Sequence, residues 1–293
     1  MRVVVFGKRV KDKDLPFIQL LFDILYEQEV DIFIETGYLL AMEGRVKFQK
    51  DIGQFDGYTD FSVKKFDFVI TMGGDGTILE AATFIRDSNV PIVGVNLGRL
   101  GFLASIEKNL LREAIVALKN NRVSYDSRTL LQLDSNLPLF NDIPFALNDA
   151  TFLKRDTSSM ITVKTFINGA HLNTYWADGI IIATPTGSTG YSLSCGGPIL
   201  FPDSGNFVIT PVAPHNLNVR PVVINDSAII SFEIEGRTDN FLCTLDSRWE
   251  TVTSAHQIAV RKADFKIKLA NIPDHGFLRT IREKLNWGAD KRN

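Results

Sequence analysis

The stretch Phe66-Asp-Phe-Val-Ile-Thr-Met72, followed at once by Gly73-Gly74-Asp75-Gly76-Thr77, decides the fold class of this 293-residue sequence. The first seven residues are mostly apolar and predict a buried strand, and the apolar spacing in 78–86 predicts a helix after the turn. A strand that passes through a glycine-rich turn into a helix is typical of a parallel sheet covered by helices. Open sheets of this class bind ligands at the carboxyl ends of their strands.

The pentapeptide itself indicates a phosphate site. Its glycines allow the backbone to approach a ligand closely, and its N–H groups with the helix N-terminus attract anions. We therefore predict that Gly73, Gly74, Gly76 and Thr77 bind phosphate. A carboxylate in such a turn repels phosphate unless it takes a proton from an attacking hydroxyl or holds a metal. The alternative is that Asp75 only caps the helix.

Around this turn, the first 122 residues alternate between strand and helix patterns and predict an α/β domain. Residues 37–65 contain four glycines and no sustained periodicity, so we predict a long surface loop there. The basic run Lys8–Lys13 follows the first predicted strand; it could contact the phosphates of a bound ligand, but a solvated surface run is favoured. The predicted strands are Val3–Phe6, Val30–Ile34 and Pro91–Val95, and the predicted helices are Pro16–Gln28 and Leu110–Leu118.

From residue 123 to 270 the sequence is rich in short apolar runs without a long helical pattern. We predict an all-β, sandwich-like domain over this range. Asn168-Gly169 separates two of the runs and predicts a hairpin turn. Residues 277–286 predict a terminal helix that packs back onto the first domain. The predicted strands are Thr129–Leu133, Phe145–Leu153, Thr162–Ile167, Ile180–Ala183, Phe207–Thr210, Ala228–Ile234, Phe241–Leu245 and Ile258–Val260.

Composition narrows the function classes. With 32 Lys and Arg against 34 Asp and Glu, the chain has a formal net charge of -2, which disfavours a dedicated nucleic-acid binder. Two cysteines form no disulfide framework, and the four histidines show no metal-ligand spacing. No apolar stretch approaches the length of a membrane span. We expect a cytoplasmic protein without a fixed metal site and without nucleic-acid or membrane partners.

A second glycine cluster lies in the β-rich half. Of the 21 glycines, six fall between Gly73 and Gly101 and five between Gly179 and Gly197. The second cluster belongs to an apolar strand that runs into a turn of small hydroxyls, glycines and one tyrosine. Such a turn is suited to holding a ribose and a flat base, although its composition alone also fits a tight structural turn. The segment reads Asp178-Gly-Ile-Ile-Ile-Ala-Thr-Pro-Thr-Gly-Ser-Thr-Gly-Tyr-Ser-Leu-Ser-Cys-Gly-Gly-Pro198.

These motifs resemble those of known kinases. Gly-Gly-Asp-Gly-Thr resembles the signature shared by NAD kinases, diacylglycerol and sphingosine kinases and phosphofructokinases. The longer run from Asp178 to Pro198 is similar to the NAD kinase signature in particular. Three further segments resemble NAD kinase motifs and occur in the family's order: Asn96-Leu-Gly-x-x-Gly-Phe-Leu103, Asn148-Asp149 and Pro214-His-x-Leu-x-x-Arg-Pro221.

The resemblance implies an enzyme that transfers the γ-phosphoryl group of ATP to the 2′-hydroxyl of the adenosine ribose of NAD, giving NADP. It implies an α/β domain, a β-sandwich domain and a site in the crevice between them. Asp75 would be the catalytic base. Apart from the resemblance, His215 could polarise or position the reacting hydroxyl, although a structural role is favoured for it. The phosphate turn contains no Arg or Lys, so we expect Mg²⁺ to arrive with ATP. The residues that would bind NAD are Gly76, Phe102, Asn148, Asp149, Asp178, Thr186, Ser188, Thr189 and Tyr191.

The family pattern also implies a homo-oligomer, a dimer or tetramer in which Asp178 reaches a neighbouring subunit's ligand. Two positions depart from it: Gly190 stands where alanine is common, and Trp176 where arginine or lysine is frequent. The second departure leaves open the choice between NAD and NADH. A lipid kinase of the diacylglycerol or sphingosine type and a non-catalytic dinucleotide-binding regulator remain alternatives, as does polyphosphate in place of ATP.

Overall fold

A computed structural model describes residues 1–98, 101–104, 106–155, 159–273 and 276–287 of the chain. The chain divides into two compact units. Unit 1 comprises Met1–Ser127 and Ile267–Asn293, and unit 2 comprises Arg128–Lys266.

Unit 1 is built on a parallel sheet, with the strand order β3-β2-β1-β4-β5. The strands are β1 (Arg2–Phe6), β2 (Asp31–Glu35), β3 (Gly53–Phe55), β4 (Phe68–Gly73), β5 (Ile92–Asn96) and β6 (Ile106–Glu107). The helices are α1 (Leu15–Glu27), α2 (Thr36–Met42), α3 (Tyr58–Val63), α4 (Asp75–Ile85) and α5 (Leu111–Lys119), with 3₁₀ turns at Asp12–Asp14 and Lys108–Leu110. The predicted α/β fold with a parallel sheet is confirmed.

The central strands β1, β4 and β5 of unit 1 are mostly apolar and almost entirely buried because both sheet faces are covered. On one face, α1 and α5 contribute residues such as Leu21, Leu25 and Ile115 to the main core. On the other, phenyl rings pack edge to face, as with Phe6 and Phe84 at 5.3 Å between ring centroids. This packing holds the carboxyl ends of β1, β2, β4 and β5 at one edge of the sheet.

Residues 37–65 are not the long surface loop predicted from the sequence, because α2, β3 and α3 occupy much of this range. The Glu35 carboxylate caps α2 by accepting a hydrogen bond from the Tyr38 N–H at 2.7 Å. Phe55 and Phe61 anchor β3 and α3, with their rings 5.5 Å apart. Each element is too short to reveal a sequence period, so its stability comes from these few anchors rather than from a repeated pattern.

Unit 2 contains two antiparallel sheets. One has the order β14-β13-β12-β9-β16-β17, and the other includes β11-β10-β15-β18, with β7 beside β18 and β8. The strands are β7 (Ser124–Ser135), which begins in unit 1, β8 (Phe145–Ala146), β9 (Asp149–Lys154), β10 (Ile161–Ile167), β11 (Ala170–Ala177), β12 (Gly179–Ala183), β13 (Asn206–Val212), β14 (Val222–Asn225), β15 (Ile230–Glu235), β16 (Phe241–Leu245), β17 (Arg248–Val252) and β18 (Ile258–Asn271). A 3₁₀ turn at Gly187–Thr189 and the short helix α6 (Tyr191–Ser194) follow β12.

The inner faces of the two sheets share one apolar core, and the predicted sandwich-like domain is confirmed. Phe152 of β9 and Phe232 of β15 lie 4.9 Å apart across it. Asn168 and Gly169 form the predicted hairpin between β10 and β11, both with positive φ (50° and 80°). The sequence did not predict β11, β14 and β17, which lie at sheet edges. Strands β11 and β17 carry exposed or partly exposed polar residues, and β14 is only four residues long with its apolar side chains partly or fully exposed.

The chain continues from β18 into a final helix. The end of β18 pairs in parallel with β5 through Leu269 and Ile92, within unit 1. Helix α7 (Phe277–Leu285) follows and buries Thr280 and Ile281. Within the described ranges, no helix has both the length and the apolar character needed to cross a membrane.

Candidate active site

The glycine-rich turn of unit 1 joins β4 to α4. Strand β4 ends at Gly73 and α4 begins at Asp75, so Gly74 is the N-cap residue. A methyl group at Gly73 would lie 2.1 Å from the Thr77 hydroxyl oxygen, so internal packing requires glycine there. A methyl group at Gly74 or Gly76 would meet no atom within 4 Å. The backbone at these two positions therefore faces open space that a ligand can enter.

The Asp75 carboxylate accepts three backbone hydrogen bonds. Oδ1 accepts from the N–H groups of Leu103 and Ala104 at 3.0 and 2.9 Å, and Oδ2 accepts from Phe102 at 2.8 Å. An ionised carboxylate offers about four acceptor positions, so one on Oδ2 remains for a further donor. Among the described residues, the carboxylate makes no hydrogen bond to its own helix; instead it fixes the segment 101–104. Gly101 is required by this contact, since a methyl group there would lie 1.9 Å from Oδ1.

A cavity of about 720 Å³ lies at the carboxyl edge of the parallel sheet in unit 1. Gly73, Gly74 and Thr77 line it, whereas Asp75 and Gly76 are not among its lining residues. Four basic residues after β1 also line it: Lys8, Arg9, Lys11 and Lys13. All four are exposed, as expected for a solvated surface run, and they also border the cavity. The run follows β1, and β1 pairs in parallel with β4, so the carboxyl ends of the two strands meet. This pairing is what places the basic run beside the glycine-rich turn.

Phe102 lies in unit 1 beside α7. Its ring has the Lys284 ammonium 5.2 Å from its centroid, and its N–H group is bound to Asp75. Among the described residues, no group of three or more His, Cys, Asp or Glu side chains is arranged to hold a metal ion.

In unit 2, the turn after β12 packs against the Asn148-Asp149 segment. A methyl group at Gly187 would lie 2.0 Å from the Asn148 carbonyl oxygen, so this glycine permits direct backbone contact. The Thr184 hydroxyl donates to the Leu147 carbonyl at 2.7 Å and accepts from the Gly187 N–H at 3.1 Å. The structure thereby brings together two motifs that lie well apart in the sequence.

A buried pair of carboxylates supports the same segment. Asp246, in the two-residue turn between β16 and β17, accepts from the N–H groups of Leu147, Asn148 and Asp149 at 2.9, 2.7 and 3.3 Å. Burial, with Asp246 as a second cause, raises the pKa of Asp149 to about 7. Burial also raises the pKa of Asp246, against the lowering effect of its backbone donors. The Asn148 Oδ1 atom is buried without a hydrogen-bond partner among the described residues.

Asp246 is a site residue that sequence reasoning missed. It is separated from its three donors by 97 to 99 positions, so no local pattern connects them. The weak signal was an Asp-Ser pair directly after the predicted strand Phe241–Leu245, which is typical of a turn.

The other predicted residues of the hydroxyl-rich turn differ in accessibility. Ser188 is fully buried, and its hydroxyl donates to the Pro185 carbonyl while accepting from the Leu200 N–H. Thr186 is buried and receives a hydrogen bond from Arg128 at 3.4 Å. Thr189 is partly buried, whereas Tyr191 is 41% exposed. Burial, followed by the neighbouring Cys195, raises the pKa of Tyr191, so its hydroxyl remains a donor at neutral pH.

Asp178 and His215 both lie near Trp176. Asp178 stands between β11 and β12, and His215 lies in the loop between β13 and β14. The Asp178 carboxylate forms an ion pair with Lys154 at 2.6 Å. His215 is exposed, its backbone N–H donates to the Trp176 carbonyl, and the two rings stand edge to face at 5.9 Å. The Trp176 side chain is 59% exposed.

Two protein-family models match the chain. The ATP-NAD kinase N-terminal domain matches residues 44–123, and the ATP-NAD kinase C-terminal domain matches residues 147–272. Together they include the pentapeptide, the Asn148-Asp149 segment and the hydroxyl-rich turn. The recognition of this family from motifs is therefore confirmed.

Similar proteins extend the match to the whole chain. It is 46% identical to the NAD kinase of Cytophaga hutchinsonii, 43% to that of Flavobacterium psychrophilum and 41% to that of Bacteroides fragilis, over 100% of both chains in each case. In fold it is similar to a yeast NADH kinase complexed with NADH (TM-score 0.88, 23% identity, covering 100% of this chain and 89% of that one). It is also similar to an Archaeoglobus fulgidus NAD kinase in complex with ATP (TM-score 0.71, 24% identity, covering 98% of each). The chain belongs to the NAD kinase family and is an enzyme of that kind.

Proposed function

We propose that this chain transfers the γ-phosphoryl group of ATP to the 2′-hydroxyl of the adenosine ribose of NAD, with Asp75 as general base. The hydroxyl oxygen attacks the γ-phosphorus, and the bond from that phosphorus to the β–γ bridging oxygen breaks to release ADP. The hydroxyl proton passes to Asp75. The observation that carries this assignment is the free acceptor position on Oδ2 of a carboxylate held by three N–H groups.

The donor phosphates are assigned to the cavity of unit 1. Gly73, Gly74 and Thr77 would supply the backbone cradle. Gly76 does not line the cavity but is exposed in the first turn of α4, and its N–H would add to the phosphate site. The basic side chains from Lys8 to Lys13 would offset phosphate charge along the same cavity. Mg²⁺ bound to ATP supplies further charge neutralisation on the phosphoryl oxygens.

NAD is assigned to residues from both glycine-rich motifs. Asn148 and Asp149 present polar groups suited to ribose hydroxyls, and the unpartnered Asn148 Oδ1 supports this role. Ser188 would act by shaping the turn rather than by contact, since its hydroxyl is already engaged. His215 would position the reacting hydroxyl. The remaining proposed contacts are Gly76, Phe102, Asp178, Thr186, Thr189 and Tyr191.

A coupled assay tests this function. Purified protein is incubated with Mg²⁺-ATP and NAD, and the product is read by a dehydrogenase that accepts only NADP. We expect NADP and ADP in equal amounts. ADP without NADP, or phosphate on a different hydroxyl, would overturn the assignment. A parallel reaction with NADH measures the acceptor preference that Trp176 leaves open.

We also propose that the enzyme is a cytoplasmic homo-oligomer. The thiols of Cys195 and Cys243 are both free, which suits a reducing compartment. An oligomer is supported by the family resemblance at Asp178. Light scattering coupled to gel filtration should give a dimer or tetramer mass, and fractionation of cells should recover the activity with soluble proteins. A monomer mass or membrane-bound activity would contradict these proposals.

A further inference from the structure

The cavity of unit 1 has a second set of lining residues that phosphate binding does not use. Besides its basic side chains, it is lined by Asp14, Glu35 and Tyr38. We propose that Glu35 and Tyr38 bind the ribose hydroxyls of the phosphate donor, so that the site selects a nucleoside triphosphate over an inorganic polyphosphate. This inference rests on the proposed function, which assigns the donor to this cavity.

The Tyr38 hydroxyl is the strongest sign of a missing ligand group. Tyr38 is only 2% exposed, and its oxygen has no hydrogen-bond partner among the described residues. Buried hydroxyls are rarely left unpaired, because an unpaired group forfeits its hydrogen bonds to water. The ring edge lies against Gly7, where a methyl group would come within 2.5 Å of it. Burial raises the pKa of Tyr38 above its ordinary value, so the hydroxyl is a donor at neutral pH.

Glu35 offers a matching acceptor at the end of β2. One of its carboxylate oxygens accepts from the Tyr38 N–H at 2.7 Å and thereby caps α2. In the described part of the chain, the other oxygen has no hydrogen-bond partner. The residue is partly buried and lines the same cavity as Gly73 and Gly74. A carboxylate fixed in this way can accept from the vicinal hydroxyls of a ribose.

The distribution of charge argues against a bare polyphosphate as the ligand of the whole cavity. A polyphosphate carries only anionic acceptor groups, so Asp14 and Glu35 would repel it. A nucleoside triphosphate carries anionic groups at one end and hydroxyl donors at the other. Its phosphates suit the basic run from Lys8 to Lys13, and its ribose suits Glu35 with Tyr38.

The test pairs protein variants with donor analogues. Glu35→Ser keeps an N-cap oxygen for α2 but removes the free carboxylate oxygen. Tyr38→Phe removes the hydroxyl alone. Tyr26→Phe is the matched control, because Tyr26 is buried in the same core but does not line the cavity. Each protein is tested with the Mg²⁺ complexes of ATP, 2′,3′-dideoxy-ATP and tripolyphosphate, both for kcat/KM with NAD and for binding by calorimetry without NAD.

For the unaltered chain, we expect dideoxy-ATP to bind about three- to tenfold more weakly than ATP, as for the loss of one or two hydrogen bonds. Glu35→Ser and Tyr38→Phe should weaken ATP by a similar factor while leaving dideoxy-ATP and tripolyphosphate unchanged. Tyr26→Phe should change none of the three.

Equal weakening of ATP and dideoxy-ATP by either variant would show a structural role and overturn the inference. Unaltered ATP binding in both variants would overturn it as well. If Glu35→Ser fails to fold, Tyr38→Phe decides alone. Because calorimetry needs no acceptor, the expected binding pattern without NADP formation would refute the proposed function while supporting this donor site.

Discussion

The two glycine-rich segments of the chain use glycine for opposite reasons. In the turn after β4, methyl groups at Gly74 and Gly76 would meet nothing within 4 Å. In the turn after β12, a methyl group at Gly187 would lie 2.0 Å from the Asn148 carbonyl oxygen, and one at Gly197 would lie 2.2 Å from the Ser192 hydroxyl oxygen. At Gly74 and Gly76 the first segment keeps space free for a ligand, whereas at Gly187 and Gly197 the second lets the chain pack on itself.

The difference indicates how each segment works. An open glycine turn can offer backbone N–H groups directly to phosphate, with Asp75 as its one reactive side chain. A closed glycine turn instead fixes neighbouring side chains, here Asn148 and Asp149, at a set position. Substitutions in the first segment should therefore affect turnover and ATP, whereas those in the second should affect stability and NAD together.

The largest effect is expected for Asp75→Asn. The amide nitrogen cannot accept the substrate proton, and its hydrogens would oppose one of the N–H donors from residues 102–104. We expect kcat to fall at least about a hundredfold, within the range for loss of a general base. Steady-state kinetics and thermal melting are measured together, with Asp67→Asn, just before β4, as control. A kcat within tenfold of the unaltered enzyme would remove Asp75 from the role of base.

The next effect should come from Gly187→Ala. The added methyl group cannot avoid the Asn148 carbonyl without moving the backbone of one segment. Such overpacking costs about 1–3 kcal/mol, and the displaced Asn148-Asp149 segment should also raise the KM for NAD. Denaturant unfolding with NAD kinetics measures both. Unchanged unfolding would mean that the two segments are not held by this contact.

The contrast between the segments also explains what the sequence could predict. The strand, turn and helix around Gly73 are contiguous, so apolar spacing and glycine placement were sufficient to predict β4 and α4 within a few residues. The same holds for α7, whose bounds were predicted within one residue. Motif resemblance then supplied the family, which relatives over the full chain confirm.

What could not be predicted depends on distant contacts or short elements. Asp246 supports Asn148 across 98 positions, and Phe55 fixes β3 only because Phe61 and Phe84 converge on its ring. The edge strands β14 and β17 are defined by pairing rather than by hydrophobic pattern. Placing the basic run from Lys8 beside Gly73 required the strand order, which local patterns do not give.

The buried carboxylates Asp149 and Asp246 should make the stability of the protein depend on pH. They lie beside the turn after β12. The pKa of Asp149 rises from 3.8 in its ordinary state to about 7 in the folded chain. Below pH 4 both states hold the proton, and as the pH rises through 7 the folded state must bury a charge that the unfolded state exposes. Stability should thus fall, by about 1 kcal/mol between pH 6 and pH 7 from this group. Asp149→Asn should remove that part of the slope, and identical slopes in denaturant unfolding would refute the assignment.

Gly74→Ala tests the turn after β4, where we expect the opposite result from Gly187→Ala: stability is kept and ATP binding is weakened. Its backbone angles (φ -108°, ψ -167°) are extended and accessible to alanine, so the unfolding free energy should stay within about 0.5 kcal/mol or rise slightly. The methyl group would instead occupy space next to the phosphates. We expect the KM for ATP to rise about threefold while the KM for NAD stays constant. An unchanged KM for ATP would argue against phosphate binding at this turn.

The smallest effect is expected for Gly190→Ala, which compares two glycines, Gly190 and Gly187, within the turn after β12. A methyl group there would lie 3.2 Å from the Gly187 carbonyl, 3.7 Å from the Asp149 carboxylate and 3.8 Å from the Asn148 amide nitrogen. Only the first contact is tight, and a shift of a few tenths of an ångström relieves it. Stability should change by no more than about 0.5 kcal/mol, and the KM for NAD should change less than twofold. Gly187→Ala, three residues earlier, is measured in the same experiment. If Gly190→Ala loses as much stability as Gly187→Ala, this turn tolerates no added volume. The free space beside a glycine would then not predict its role.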